Sequence, residues 1–351
     1  MIFIICVFTL FLTLFFIWLL RLWALKIGFV DRPGGRKWHQ REVPLIGGIA
    51  IFLSFYITLW IISTSLTDFY LLFISGLLVT ILGLSDDFLE LHSYTRLAGE
   101  TVAALALFIF GNMQVSHLGN LLFLGNIKLG ILALPFTLFI VVGFINAMNM
   151  IDGQDGLAGG VALGQVMLLA YLNWLEKNQQ TFTQLIVLCS ALVIFLFFNM
   201  RTPWRKHAAV FLGDSGSTLV ALLIAWYAIQ VGQNEQTVKP VVILWILAYP
   251  IYDFVQVSAA RVRQGKSLLK PSPDHFHHLL HFAGMNSATS SWILTIISLS
   301  LGLAGVIMSY FQIPEGWQFI TWLFTFLIYF TITQLIRKTR SVVGYRILSH
   351  K

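Results

Sequence analysis

Charge is what this chain has least of: Asp, Glu, Lys and Arg make up 11% of it, against roughly 25% in soluble domains. So few charges cannot cover a water-exposed surface. A soluble globular protein is excluded, and with it soluble nucleic-acid binding, despite a pI ≈ 9.5. Cysteine is scarce as well. Cys6 and Cys189 both lie inside apolar segments, which argues against a disulfide framework and against a zinc site. The long apolar segments lack polar/apolar alternation, so a transmembrane barrel does not fit. No Gly-x-x-x-x-Gly-Lys-Ser/Thr occurs, which excludes a P-loop. The first 20 residues have neither a basic start nor a small-residue cleavage site. They are expected to form a retained first helix rather than a cleaved signal peptide.

What is abundant is apolar surface: 58% of residues are hydrophobic and the mean hydropathy is +0.82. Lipid has to cover it, and in lipid only helices and closed barrels satisfy their own backbone. The expectation is an all-α, polytopic integral membrane protein, with residues 1–351 forming one membrane-embedded domain. Apolar runs of helix-spanning length predict about eleven spans, near 2–23, 44–63, 69–85, 97–112, 130–148, 157–175, 182–200, 213–231, 240–258, 291–311 and 317–336. An odd count puts the termini on opposite sides. With the N-terminus periplasmic and the C-terminus cytoplasmic, 19 of the 22 basic residues fall inside and only Lys128, Lys177 and Lys239 outside, as the positive-inside rule requires. Attraction to anionic lipid accounts for many of these charges. The outside segment 112–129 is expected to form a small hairpin.

Four polar clusters interrupt the hydrocarbon. The first is Asn146, Asn149, Asp152 and Asp155, a polar residue at every third position. A membrane-embedded aspartate costs ~2.5–3.5 kcal/mol, so these residues mark a place where water, metal or phosphate meets the membrane. Gly153 and Gly156 are expected to break the helix here, and Gly160 and Gly164 to pack helices closely. The second cluster is Asp86-Asp87 at the inner end of the third span, with Glu90 one helical turn on. Adjacent carboxylates repel unless a cation or basic ligand lies between them. The third is Gly213-Asp-Ser-Gly-Ser217. Its glycines would let backbone approach a ligand, and its Asp and Ser suit either phosphate or metal binding or plain capping. The fourth is a histidine-rich loop, His275, His277, His278 and His281, after a basic run from Arg261 to Lys270. Metal binding and pH switching are open to it. So much neighbouring positive charge favours anion binding.

All four clusters fall on the same, inner side. Carboxylates beside a basic loop at an interface suit a magnesium-bound diphosphate, because Mg²⁺ takes one or two carboxylates plus substrate phosphates. The inner loops at about 24–43, 86–96, 149–156, 201–212 and 259–290 are expected to form the active site. A lipid-linked sugar transporter is the competing class, but it would string ionisable residues along a path across the membrane.

Together these residues resemble the polyprenyl-phosphate N-acetylhexosamine-1-phosphate transferase superfamily. Asp86-Asp87, Asn146 to Leu157, Gly213 to Ser217 and His275 to His278 match its motifs in order and spacing over nearly the whole chain. Glu90, where the muramyl-pentapeptide branch has Lys, and Phe276, which interrupts that branch's run of three histidines, point to the N-acetylglucosamine branch. That branch starts O-antigen and enterobacterial common antigen synthesis.

The resemblance implies transfer from UDP-N-acetylglucosamine to undecaprenyl phosphate at the cytoplasmic face of the bacterial inner membrane. It implies Mg²⁺ as cofactor, with Mn²⁺ as a substitute, and a second copy of the chain as a candidate partner. Another UDP-sugar, carrying N-acetylgalactosamine or phospho-muramyl-pentapeptide, is the alternative substrate. Expected catalytic residues are Asp86, Asp87, Asp152, Asp155 and Asp214, with Asp214, Asp86 and Asp87 on the metal. Asn146, Asn149, Glu90, Arg261, Arg263, His275, His277 and His278 are expected to bind substrate.

Overall fold

The computed structural model of the chain describes residues 1–32, 41–62, 66–111, 113–234, 238–265, 267 and 274–349, with the backbone alone for 66–68 and 340–349. Residues 33–40 of the first inner loop and 268–273 of the last, with Lys266, lie outside the described residues. Among the described residues the chain is all-α but for one short ribbon. Its helices are α1 (Ile2–Ile27), α2 (Gly47–Ile62), α3 (Leu66–Leu89), α4 (Ser93–Gly111), α5 (Ala133–Ile151), α6 (Leu157–Leu175), α7 (Gln179–Asn199), α8 (Gly213–Gly232), α9 (Pro240–Ile246), α10 (Ala248–Arg263), α11 (Phe276–Phe282), α12 (Ser287–Tyr310) and α13 (Glu315–Ser349). Strands β1 (Val30–Asp31) and β2 (Val43–Pro44) pair antiparallel and pin the segment between α1 and α2.

Among the described residues eight single helices are long and apolar enough to cross a membrane, so the protein is a multi-pass membrane protein. The eleven expected spans differ from these eight at three places. The second span is the 16-residue α2. The fourth, α4, carries Arg96 and Glu100 in its first two turns and is not among the eight. The ninth is broken into α9 and α10, bent by 73°. The break has a covalent cause. Pro250 has no N–H, so the carbonyl four residues back, that of Ile246, loses its helical partner and meets the proline ring instead; Ile246 is the last residue of α9.

Helix α8 is the axis of the bundle. It is buried along its length except at Asp214 and Gln230, and it packs on α2, α3, α5, α6 and α9. Glycines permit the approach. A methyl on Gly48 of α2 or on Gly83 of α3 would collide with the α8 backbone at Ser215 and Gly216, and small residues let membrane helices close to this degree. Gly160 likewise faces Thr295 of α12, 2.7 Å from where its Cβ would lie. Toward the rim, α1 and α13 turn most of their large apolar side chains outward, as lipid-facing helices do. The segment 113–129 folds back as expected, with His117 bridged to Lys128 and Leu118 N–H donating to the Ile127 carbonyl at 2.9 Å.

Candidate active site

Helix ends make the site. Helix α3 terminates at Leu89, and Glu90 takes a left-handed conformation with φ 48°. Asp86 closes this end: its Oδ1 accepts from the Leu91 N–H at 2.7 Å and its Oδ2 from Arg96 Nη1 at 2.7 Å. Asp87 points the other way and caps α8. Its Oδ1 accepts from the Asp214 N–H at 2.9 Å and its Oδ2 from the Ser215 N–H at 3.3 Å. The adjacent carboxylates thus escape mutual repulsion by taking different donors. Gly213, at φ 75°, lies so close to Asp87 that an added Cβ would be 2.8 Å from its Oδ2. The glycines of Gly213-Asp-Ser-Gly-Ser217 therefore serve helix packing and the Asp87 contact, where a close approach to ligand was expected.

Helix α5 ends at Ile151, and Asp152 follows as its cap residue with ψ 42°. Asn149, in the last turn, donates from Nδ2 to Asp214 Oδ1 at 2.6 Å and to Ser217 Oγ at 3.0 Å. Asn146, one turn earlier, donates to Glu100 Oε2 at 2.5 Å. Asp214 is held by Asn149 on one oxygen, while the other lies 3.9 Å from Arg96; about a third of its side chain remains exposed, 35%. Asp155 accepts on Oδ2 from Arg201 Nε at 2.6 Å and from the Ala208 N–H at 3.3 Å. Gly156, at φ 81°, starts α6, and its N–H donates to Asn199 Oδ1 at 2.7 Å. The stripe that looks uniform in sequence is therefore two amides on a helix and two aspartates beyond it.

Asp86, Asp87, Glu90, Asp152, Asp155 and Asp214 line one cavity of about 460 Å³. Burial pushes the Asp152 carboxyl well above the usual carboxylate range, and the neighbouring Asp214, Asp87 and Asp155 charges add to the shift. Among the described residues no group of three or more His, Cys, Asp or Glu side chains is arranged to hold a metal by itself. This donor set still fits Mg²⁺, a hard ion that commonly takes one or two carboxylates and completes its shell with substrate phosphates and water. Asp214, with 35% of its side chain exposed, is an open candidate ligand. Asp86, expected on the metal, has both oxygens engaged by Leu91 and Arg96.

The histidine loop is split by the structure. His278 and His281 line the cavity. His275 does not; its Nδ1 lies 2.6 Å from Asp253 Oδ2, and the residue is 4% exposed. His277 is fully buried, and its ring lies over Gly153, whose added Cβ would be 2.5 Å from Nε2. Burial, and the nearby His278 and His275, hold its pKa well below the usual imidazole range. Gly153 thus makes room for an imidazole. Arg261 is buried, and Arg263 stacks 5.5 Å over the Phe330 ring; the cavity wall includes neither. Of the residues expected to bind substrate, His275, His277, Arg261 and Arg263 thus do not line this cavity, whereas His278 does.

Sequence reasoning missed several participants. Asp253 of α10 is fully buried and accepts from His275, the Phe276 N–H at 2.8 Å and Tyr329 Oη at 2.9 Å. Glu100 of α4, 1% exposed, holds Asn146. Both are lone acids within apolar runs, a signal that by itself marks function in a membrane segment. Asp31 and Arg201 also line the cavity; Arg201 counts in the sequence only among the inner basic residues. An apolar cavity of about 290 Å³ lies between α5, α8, α9 and α10. It reaches Ala147, beside Asn146, at one end and the 115–121 segment at the other.

A carboxylate cavity built from helix ends, in a multi-pass bundle that also holds an apolar cavity, is the layout of a membrane-embedded enzyme. Comparison with known proteins makes this specific. A family model described as glycosyl transferase family 4 matches residues 69–232. Undecaprenyl-phosphate alpha-N-acetylglucosaminyl 1-phosphate transferases are similar over most of the chain. That of Haemophilus influenzae is 32% identical over 321 residues, 90% of each chain. That of Salmonella typhi is 31% identical over 325 residues, covering 90% of this chain and 87% of the relative. That of Yersinia pestis is 30% identical over 316 residues, covering 90% and 86%. The chain belongs to glycosyl transferase family 4.

Proposed function

We propose that the chain transfers N-acetylglucosamine 1-phosphate from UDP-N-acetylglucosamine to undecaprenyl phosphate, releasing UMP, at the cytoplasmic face of a bacterial inner membrane. The similarity over nine-tenths of the chain to relatives that carry this activity in their names supports the reaction. The observation that carries the site assignment is the cavity walled by carboxylates from several helix ends, in a bundle that also holds an apolar cavity. Ala147 of α5 lines the apolar cavity, and Asp152, just past the end of α5, lines the carboxylate cavity. A lipid phosphate needs this pairing, since its chain favours hydrocarbon and its headgroup favours cations and donors.

In the reaction an oxygen of the lipid phosphate bonds to the phosphorus that carries the sugar. The bond between that phosphorus and the bridging oxygen breaks, and UMP leaves with that oxygen. Phosphoryl transfer of this kind depends mainly on positioning and charge stabilisation. The second pKa of a phosphate monoester lies near ~6, so the acceptor is largely dianionic at neutral pH and direct displacement needs no strong protein base. Mg²⁺, with Mn²⁺ as substitute, would be held by Asp214, with Asp87 and Asp152 nearby, and supplies charge neutralisation at the diphosphate. Asn149 fixes the Asp214 carboxylate, and Arg96 joins Asp86 to Asp214. His278 and His281 face the same space. The test is UMP release by purified protein given undecaprenyl phosphate, Mg²⁺ and a panel of UDP-sugars. Release is expected with UDP-N-acetylglucosamine, and no release with any sugar overturns the proposal.

A further inference from the structure

The wall of the carboxylate cavity carries seven acidic side chains and, among the described residues, a single guanidinium, that of Arg201. That imbalance opposes any phosphate-bearing ligand. Arg201 is held end-on. Its Nε donates to Asp155 Oδ2 at 2.6 Å, and the same oxygen accepts from the Ala208 N–H at 3.3 Å. Asp155 is 8% exposed and Arg201 21%. The backbone after Arg201 is fixed too: Thr202 N–H donates to the Arg205 carbonyl at 2.9 Å and Arg205 N–H returns a bond at 3.0 Å. With Nε engaged, the two Nη groups have no protein partner among the described residues. They are also not fully buried, and Arg201 lines the cavity. A guanidinium gripped at Nε by a buried carboxylate, with its Nη nitrogens left without a protein partner among the described residues, is a preorganised fork for a phosphate.

We propose that Arg201 binds a substrate phosphate through its Nη groups, and that Asp155 is a positioning residue that aims it. The assignment rests on reading this cavity as a phosphate-handling site and adds to it the one rigid cation on its wall. It gives Asp155 a role distinct from that of Asp214. The shared ligand chemistry is a phosphate oxyanion, and either the nucleotide diphosphate or the lipid headgroup can supply it.

The test uses the purified full chain in detergent. Inorganic diphosphate with Mg²⁺ is titrated by thermal shift, and KM is measured separately for UDP-N-acetylglucosamine and undecaprenyl phosphate. Arg201→Gln is expected to weaken diphosphate binding and to raise one KM by roughly 10- to 100-fold, the worth of a charge-assisted contact. Arg201→Lys, which keeps charge but not the fork, recovers part of the loss. A KM rise confined to the nucleotide sugar assigns the donor phosphate, and one confined to the lipid assigns the acceptor. Asp155→Asn should raise the same KM by less, and adding it to Arg201→Gln should change little further. Wild-type diphosphate affinity and wild-type KM values in Arg201→Gln overturn the assignment, even if kcat falls. Should the Gln variant not fold, unchanged affinity in Arg201→Lys does the same. Absence of UMP release by the unmutated protein counts against the transferase reading alone, because the diphosphate titration still decides Arg201.

Discussion

Two halves of the site are held in different ways. Where α3, α5 and α8 meet, motif residues hold one another: Asp87 takes the amides of Asp214 and Ser215, and Asn149 takes Asp214. At α11 the motif is held by outsiders. His275 and the Phe276 N–H are anchored by Asp253 of α10, which is also bound by Tyr329 of α13. Arg337 of α13 donates to Gln256 Oε1 at 2.7 Å and to the Asp274 carbonyl at 3.1 Å. The first half is a crossing of helices locked by backbone contact. The second is a short helix fastened by side chains from two other helices, α10 before it and α13 after it. The first can fix charges to a fraction of an ångström; the second can carry cavity-facing His278 and His281 on a mount that yields when one bond is removed.

That contrast sets the size of mutational effects. Asp214→Asn, at the crossing, should lower the kcat of UMP release by ~10²–10³-fold, the cost of losing one preorganised electrostatic group. EDTA should abolish wild-type release, and added Mg²⁺ should restore it. Near wild-type release from Asp214→Asn would take the metal away from this half. Asp253→Asn should loosen α11 by about 1.5–3 kcal/mol, the worth of hydrogen bonds to a charged group. It should appear as a higher KM for UDP-N-acetylglucosamine at nearly unchanged kcat; a pure kcat defect would mean that the mount does not control substrate binding. Gly83→Ala forces a methyl into the α8 backbone, so its overpacking should cost about 1–3 kcal/mol and lower the thermal unfolding midpoint in detergent. Gly153→Ala meets only the His277 imidazole and should leave that midpoint higher than Gly83→Ala does. Equal midpoints would erase the distinction between the halves. Tyr329→Phe removes one neutral donor and should cost the least, about 0.5–1.5 kcal/mol, read as a small KM increase.

The same contrast explains what was legible beforehand. Asp86-Asp87, Asn149 and Asp214 stand out because each is a polar group against hydrocarbon and each sits in a short pattern. Their joint placement at one end of the bundle follows from counting spans. The partners of the histidine loop carry no pattern. Asp253, Tyr329 and Arg337 lie in three places along the sequence and meet only because α10 and α13 pack together. His275 and His277 read as surface ligands because imidazole tolerates both water and burial, and composition cannot tell which holds. The span expected at 240–258 reads as continuous, because an apolar run conceals the 73° bend between α9 and α10. The role of Glu100 was hidden because a span prediction averages hydropathy and so conceals one acid.

Asp87 has one more consequence. Its carboxylate occupies the place an incoming anion takes at an open helix N-terminus. The positive end of the α8 macrodipole, equivalent to roughly half an elementary charge, is therefore already cancelled by the chain's own acid at the Asp214 and Ser215 amides. A phosphate arriving beside α8 gains nothing from it. The attraction has to be supplied by mobile or side-chain cations, so substrate capture should depend steeply on free divalent ion and on ionic strength.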